Sequence, residues 1–102
     1  MTIKFINMKK EEIIAGQIYC AIFNDSQEDY IYEAPGKVGF NGYMHPKSKQ
    51  YHSSRDSSHD WTQLYTVRLA TEVERKHFKC CQATGGWVDA PKDVIINEYQ
   101  IY

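Results

Sequence analysis

The sequence lacks the features that mark several large classes of protein. It has almost no net charge, because 12 lysines and arginines offset 13 aspartates and glutamates to leave −1, and this balance excludes a global attraction to nucleic acid, membranes or charged substrates. No apolar run approaches the roughly 18 residues that a transmembrane helix needs. The N-terminus also lacks the apolar region of a signal peptide. We therefore expect no membrane partner.

Cysteine is too scarce for a disulfide framework. The chain has three cysteines, an odd number, and two of them are adjacent at Cys80 and Cys81, whereas disulfide-stabilised domains carry an even number. Such a set is typical of a protein kept in a reducing compartment. The sequence thus predicts a cytoplasmic location.

Length and composition favour one ordered domain. A chain of 102 residues lies within the usual range of a single domain. It buries roughly 60–65% of its unfolded surface, which is enough for a hydrophobic core that needs no disulfide bonds or metal ions. Apolar residues make up 42% of the chain and charged residues 25%, as in ordered globular proteins. We therefore assign residues 1–102 to one domain.

One segment combines a start signal, an apolar face and a stop signal, and it predicts a helix over residues 72–83. Thr71 is a good N-cap, and Glu74 completes a Thr-x-x-Glu capping box with it. Gly85 and the glycine after it supply the C-terminal stop. The side chains predicted to face the core are Val73, His77, Phe78 and Cys81.

Alternating apolar residues predict strands elsewhere, and a single turn or helical turn is expected within residues 7–14. Gly39 and Gly42 interrupt one strand and indicate a bulge or a sharp curl. The fold class predicted is α+β, a small curled antiparallel β-sheet of about five or six strands with one helix packed on it. The predicted strands are residues 2–6, 17–23, 30–34, 37–44 and 61–69, and a last one from Val94 to the end of the chain.

Residues 45–60 are almost entirely polar and are predicted to form a long loop. Five serines lie here, and Tyr51 is nearly the only apolar side chain. A loop of about 16 residues in a compact domain is usually functional or mobile. It has three interpretations: a solvated loop, a protein-binding surface, or a phosphate-contacting loop in which Tyr51 stacks on a base. Histidines recur every seven residues at His45, His52 and His59.

A second candidate surface is the hairpin that contains Tyr30 and Tyr32. Tyrosines beside acidic residues suit the binding of a basic protein surface or mimicry of a nucleic-acid backbone, although the same pattern occurs in ordinary hairpins. The residues predicted to bind a partner, from this hairpin and the 45–60 loop together, are Tyr30, Tyr32, Lys47, Lys49, Tyr51, His52 and Arg55.

Metal and thiol chemistry has a weaker basis. The His77-x-x-Cys80 spacing, with Cys81 adjacent, matches no known zinc pattern, and neighbouring helical residues point about 100° apart. The glycines at 36, 39 and 42 lack the strand-to-helix context of a phosphate-binding loop. We assign no catalytic residue, metal or cofactor, and a small metal- or thiol-dependent enzyme is the last of three functional hypotheses.

The run Arg68-Leu69-Ala70-Thr71, followed by Glu74, Cys81, Gly85 and Val88, resembles a segment common in small accessory proteins of tailed bacteriophages. The similarity covers about a fifth of the chain. It implies a phage source and a fold more than a reaction. The leading hypothesis is a non-enzymatic phage accessory protein that acts in the cytoplasm of the infected cell and binds a host or phage macromolecule, most readily a protein. The resemblance favours modulation of host machinery or inhibition of a host defence system. The alternative is a nucleic-acid-binding module that uses the 45–60 loop. Homodimerisation through the last strand remains open.

Overall fold

In the computed structural model, residues 8–22 and 29–90 are described, and they form a five-stranded antiparallel sheet with one main helix. This confirms the predicted α+β class. The strand order across the sheet is β4-β3-β2-β1-β5. The elements are a 3₁₀ turn Lys10–Glu12, β1 Ile18–Ile22, β2 Asp29–Glu33, β3 Phe40–His45, β4 Gln50–Asp56, α1 Trp61–Leu64, β5 Thr66–Leu69 and α2 Glu72–Thr84.

The β1–β2 hairpin gives the sheet two buried faces. Tyr19 pairs with Tyr32, and Cys20 pairs with Ile31. Since paired residues share a face and successive residues alternate, the two tyrosines enter one core while Cys20 and Ile31 enter the other. The predicted hairpin is confirmed, and it separates an aromatic layer from a layer covered by α2.

Helix α2 lies against β2, β3 and β4 and begins and ends as its sequence predicts. The hydroxyl of Thr71 accepts a hydrogen bond from the Glu74 amide at 3.2 Å, and the Glu74 carboxylate accepts one from the Thr71 amide at 2.8 Å. Gly85 closes the helix in the left-handed conformation, with φ of 82°. The four predicted core residues are all buried.

Glu74 is also buried, which the capping box alone does not predict. Arg68, near the end of β5, donates from both terminal nitrogens to the Glu74 carboxylate, at 2.8 and 2.9 Å. The Glu74 side chain is 3% exposed and that of Arg68 21% exposed. A buried carboxylate requires such a partner, so this ion pair joins β5 to the first turn of α2.

The prediction of a loop over residues 45–60 is wrong, because most of the segment forms β4 and the turn that connects it to β3. Five of the seven β4 residues are exposed, and Tyr51 is packed against the helix-side core. A polar strand at a sheet edge carries little apolar alternation, and the sequence pattern therefore missed it.

The predicted strand over residues 61–69 is only half correct. Asp60 accepts a hydrogen bond from the Thr62 amide at 3.0 Å and caps the short helix α1; β5 begins only at Thr66. The predicted turn near the N-terminus is confirmed by the 3₁₀ turn at Lys10–Glu12. The strands predicted over residues 2–6 and 94–102 lie outside the described residues.

Trp61 anchors the aromatic layer. Its ring stacks on Tyr32 with the centroids 4.6 Å apart, and its indole N–H donates to the Gly39 carbonyl at 3.0 Å. The Gly39 amide in turn donates to the His59 carbonyl at 2.7 Å. These contacts fix the segment between β4 and α1 against the start of β3.

Candidate functional site

A cluster of four rings from three adjacent strands lies on the sheet face opposite α2, and we refer to it as the aromatic patch. It consists of Tyr30 on β2, Tyr43 and His45 on β3, and His52 on β4. The Tyr30 and His45 centroids are 3.8 Å apart, and His52 stacks on Tyr43 at 5.0 Å with 29° between the ring planes. His52 is exposed and the other three are half-buried.

The patch rests on rigid groups. Tyr30 contacts Trp61 at 5.9 Å and Tyr65 at 6.2 Å between centroids, and Phe40 contacts Tyr43 at 5.0 Å. Edge-to-face contacts of this kind favour fixed ring orientations. The four rings therefore present a surface that loses little conformational entropy when a ligand covers it.

Two lysines lie in the turn that connects β3 to β4, next to the patch residues His45 and His52 in the sequence. Lys47 and Lys49 are exposed and form no ion pair within residues 8–22 and 29–90. In contrast, the Asp56 carboxylate accepts hydrogen bonds from the His59 and Ser58 amides at 2.6 and 3.1 Å. These bonds lower the pKa of Asp56. The carboxylate of Asp56 is thus held by the amides of the turn that follows β4.

The structure divides the predicted partner-binding residues among several places. Tyr32 is 1% exposed beneath Trp61, so a partner cannot reach its ring. The sequence missed Tyr43 and His45, whose alternation on β3 places them beside Tyr30. The predicted residues lie as follows: Tyr30 and His52 in the patch, Lys47 and Lys49 in the adjoining turn, Tyr51 and Arg55 on the α2 side of the sheet, and Tyr32 in the core.

His77 and Cys81, both on α2, make structural contacts. The Nε2–H of His77 donates to the Val88 carbonyl at 2.7 Å, and the Cys81 thiol donates to the same oxygen at 3.6 Å. Burial raises the pKa of Cys81, which weakens it as a nucleophile. Within the described part of the chain, no group of three or more metal-ligating side chains is close enough to bind an ion.

The pH dependence of stability should report on His77, because burial lowers its pKa. An unfolded histidine takes up a proton near pH 6.5, whereas folded His77 resists it. The contribution of His77 to stability is therefore complete above about pH 6.5 and is lost as the pH falls from there through the lower pKa of the folded state. We expect thermal melts between pH 7.5 and 5 to show this loss in the wild type and a smaller one in His77→Gln. Equal pH profiles for the wild type and His77→Gln would contradict this.

Comparison of the chain with protein-family models, curated proteins and solved structures found no match. Neither helix in the described ranges has the length and apolarity that a bilayer crossing requires.

Proposed function

We propose that this chain is a non-enzymatic binding protein that engages a protein partner through the aromatic patch. The observation that supports this is the convergence of four rings from β2, β3 and β4 on a rigid aromatic base. Tyrosine supplies a large contact area at low entropic cost and adds a polar group for orientation. Protein interfaces are enriched in such residues around a desolvated centre.

The biological role we propose follows the sequence resemblance to accessory proteins of tailed phages. The protein would act in the cytoplasm of an infected cell, where it modulates host machinery or inhibits a host defence system. Compactness suits this role, since the chain has 102 residues and a radius of gyration of 13.0 Å. Binding of the partner would use only the face of the sheet that carries the aromatic patch.

Affinity capture from host lysate, followed by mass spectrometry with and without nuclease, tests the proposal when a patch variant is included. A protein partner that resists nuclease and is lost with the variant supports it. Retention of that partner by a folded patch variant would assign binding to another surface. Partners released by nuclease would favour nucleic acid instead.

The patch variant should be His52→Asp, because His52 is exposed and its replacement adds a charge beside Tyr43. Loss of one central contact weakens binding by at least about tenfold, or about 1.4 kcal/mol. Surface changes usually alter stability by no more than about 0.5 kcal/mol, so the melting temperature should stay nearly constant. Ser53→Asp, on the same strand and also exposed but on the opposite face of the sheet, is the matched control. Equal affinities of the two variants would refute the assignment.

A second candidate function is binding of single-stranded nucleic acid. The stacked pair Tyr43–His52 lies beside a turn with two lysines that form no ion pair within the described ranges, and bases stack on such rings while cations contact phosphates. This alternative predicts an affinity that falls steeply with salt concentration. No mobility shift with single-stranded DNA or RNA at low salt would exclude it.

A further inference from the structure

A polar groove lies on the opposite side of the sheet from the aromatic patch. It runs between β4 and the C-terminal half of α2 and has a volume of about 230 Å³. A second cavity adjoins it and shares Asn41 and Arg55. The side chains that the argument uses are Glu33, Asn41, Tyr51, Arg55 and Gln82.

An irregularity in the β3–β4 pairing builds this groove. The register shifts between Asn41 and Tyr43, so that Asn41 pairs with Arg55. Gly42, at the shift, has a φ of +77°, and a Cβ there would approach the Tyr51 hydroxyl to 2.5 Å. A bulge of this kind redirects side chains, and the missing side chain leaves room for the hydroxyl above the strand.

Three polar groups in the groove have no partner within the described residues. The Arg55 guanidinium, the Asn41 amide and the Tyr51 hydroxyl make no hydrogen bond or ion pair there. The other two arginines do: Arg68 binds Glu74, and Arg75 donates to the Ala70 carbonyl at 2.8 Å. Burial raises the pKa of Tyr51, so its hydroxyl remains a donor at neutral pH.

The acidic groups that line the two cavities already have hydrogen-bond partners. Glu33 accepts from Lys79 at 3.0 Å and from Gln82 at 3.2 Å. Asp56 accepts from the amides of its own turn. The Arg55 guanidinium is therefore available to bind a ligand. The Asn41 amide and the Tyr51 hydroxyl line the same groove and can add hydrogen bonds.

We propose that this groove binds a carboxylate, with Arg55 as the bidentate partner and with Tyr51 and Asn41 as additional donors. Planar guanidinium and planar carboxylate match in two parallel hydrogen bonds. The carboxylate belongs either to a small organic acid or to an acidic side chain of a bound peptide. Because the groove and the aromatic patch lie on opposite faces, this site does not depend on the partner surface proposed above.

Nuclear magnetic resonance titrations of the full chain at constant ionic strength test the site. The probes are sodium glutarate and a blocked Gly-Glu-Gly peptide, with the Gly-Gln-Gly peptide as the neutral control. We expect saturable shifts of the Asn41 side-chain amide and the Arg55 Nε–H signals. Saturation by glutarate alone identifies a small-acid site, and tighter binding of the glutamate peptide identifies a peptide site.

Matched variants separate the groove from general charge attraction. Arg55→Gln should weaken binding at least tenfold, whereas Lys49→Gln, which removes the same charge from the exposed turn, should change it less than twofold. Tyr51→Phe keeps the ring that packs on Phe78 at 5.7 Å and should weaken binding without lowering the melting temperature. No saturable shift with either acid, or equal losses in Arg55→Gln and Lys49→Gln, would overturn the proposal.

Discussion

Replacement of Glu74 by glutamine is expected to lower the free energy of unfolding by about 3 kcal/mol. The Glu74 carboxylate is buried. It accepts two hydrogen bonds from Arg68 and one from the Thr71 amide. A neutral amide leaves the guanidinium without its counter-charge in a largely desolvated position. For a domain of this size the melting temperature should fall by about 15 °C, which circular dichroism melts will measure.

Glu72→Gln is the control, because Glu72 pairs with Lys76 at the surface, where both side chains are more than half exposed. Exposed pairs of this type contribute about 0.5 kcal/mol or less. Replacing both partners of the buried pair, as in Arg68→Met with Glu74→Met, should recover much of the loss. If Glu74→Gln and Glu72→Gln had similar melting temperatures, the buried pair would not have the importance assigned to it.

Gly39→Ala should destabilise the protein by about 3 kcal/mol. Gly39 has a φ of +89°, and a Cβ there would overlap the Asp56 carbonyl oxygen. That oxygen belongs to the backbone, so no side chain can move aside. The strain would also disturb the hydrogen bonds that join Gly39 to Trp61 and His59.

The adjacent turn supplies the comparison, since a Cβ at Gly36 would meet nothing within 4 Å and its backbone is not left-handed. Gly36→Ala should therefore be neutral or slightly stabilising, because alanine restricts the unfolded chain. Urea unfolding of both variants measures the difference. Equal midpoints would show that the start of β3 adapts to the added methyl group.

Local sequence signals predicted the parts of the fold that depend on local chemistry. Helix α2 has its cap, its apolar face and its closing glycine within one short segment, and its observed bounds, Glu72–Thr84, differ by one residue from the prediction. Strand β4 has no comparable signal, because an exposed edge strand needs no apolar alternation. Strand β4 forms because it pairs with β3, and the residues of β4 alone do not reveal which strand it will pair with.

The candidate sites show the same division. Tyr30 and His52 were predicted from residue type, but Tyr43 and His45 join them only through the register of three strands. Gly42 was predicted to mark a bulge, and the register shift beside it confirms this. That the bulge brings Asn41 opposite Arg55 was not predictable, since the sequence does not say which residues face each other across a shift.

Strand β1 contributes to both faces of the sheet, with Ile18 and Cys20 on one side and Tyr19 and Ala21 on the other. Loss of either layer would therefore expose the same backbone to water and withdraw support from the other layer. The two cores cannot open independently, and they form one cooperative unit. Strand β4 lies at the edge of the sheet and is mostly exposed, so a ligand that covers either proposed binding surface contacts a strand that contributes little to this cooperative unit.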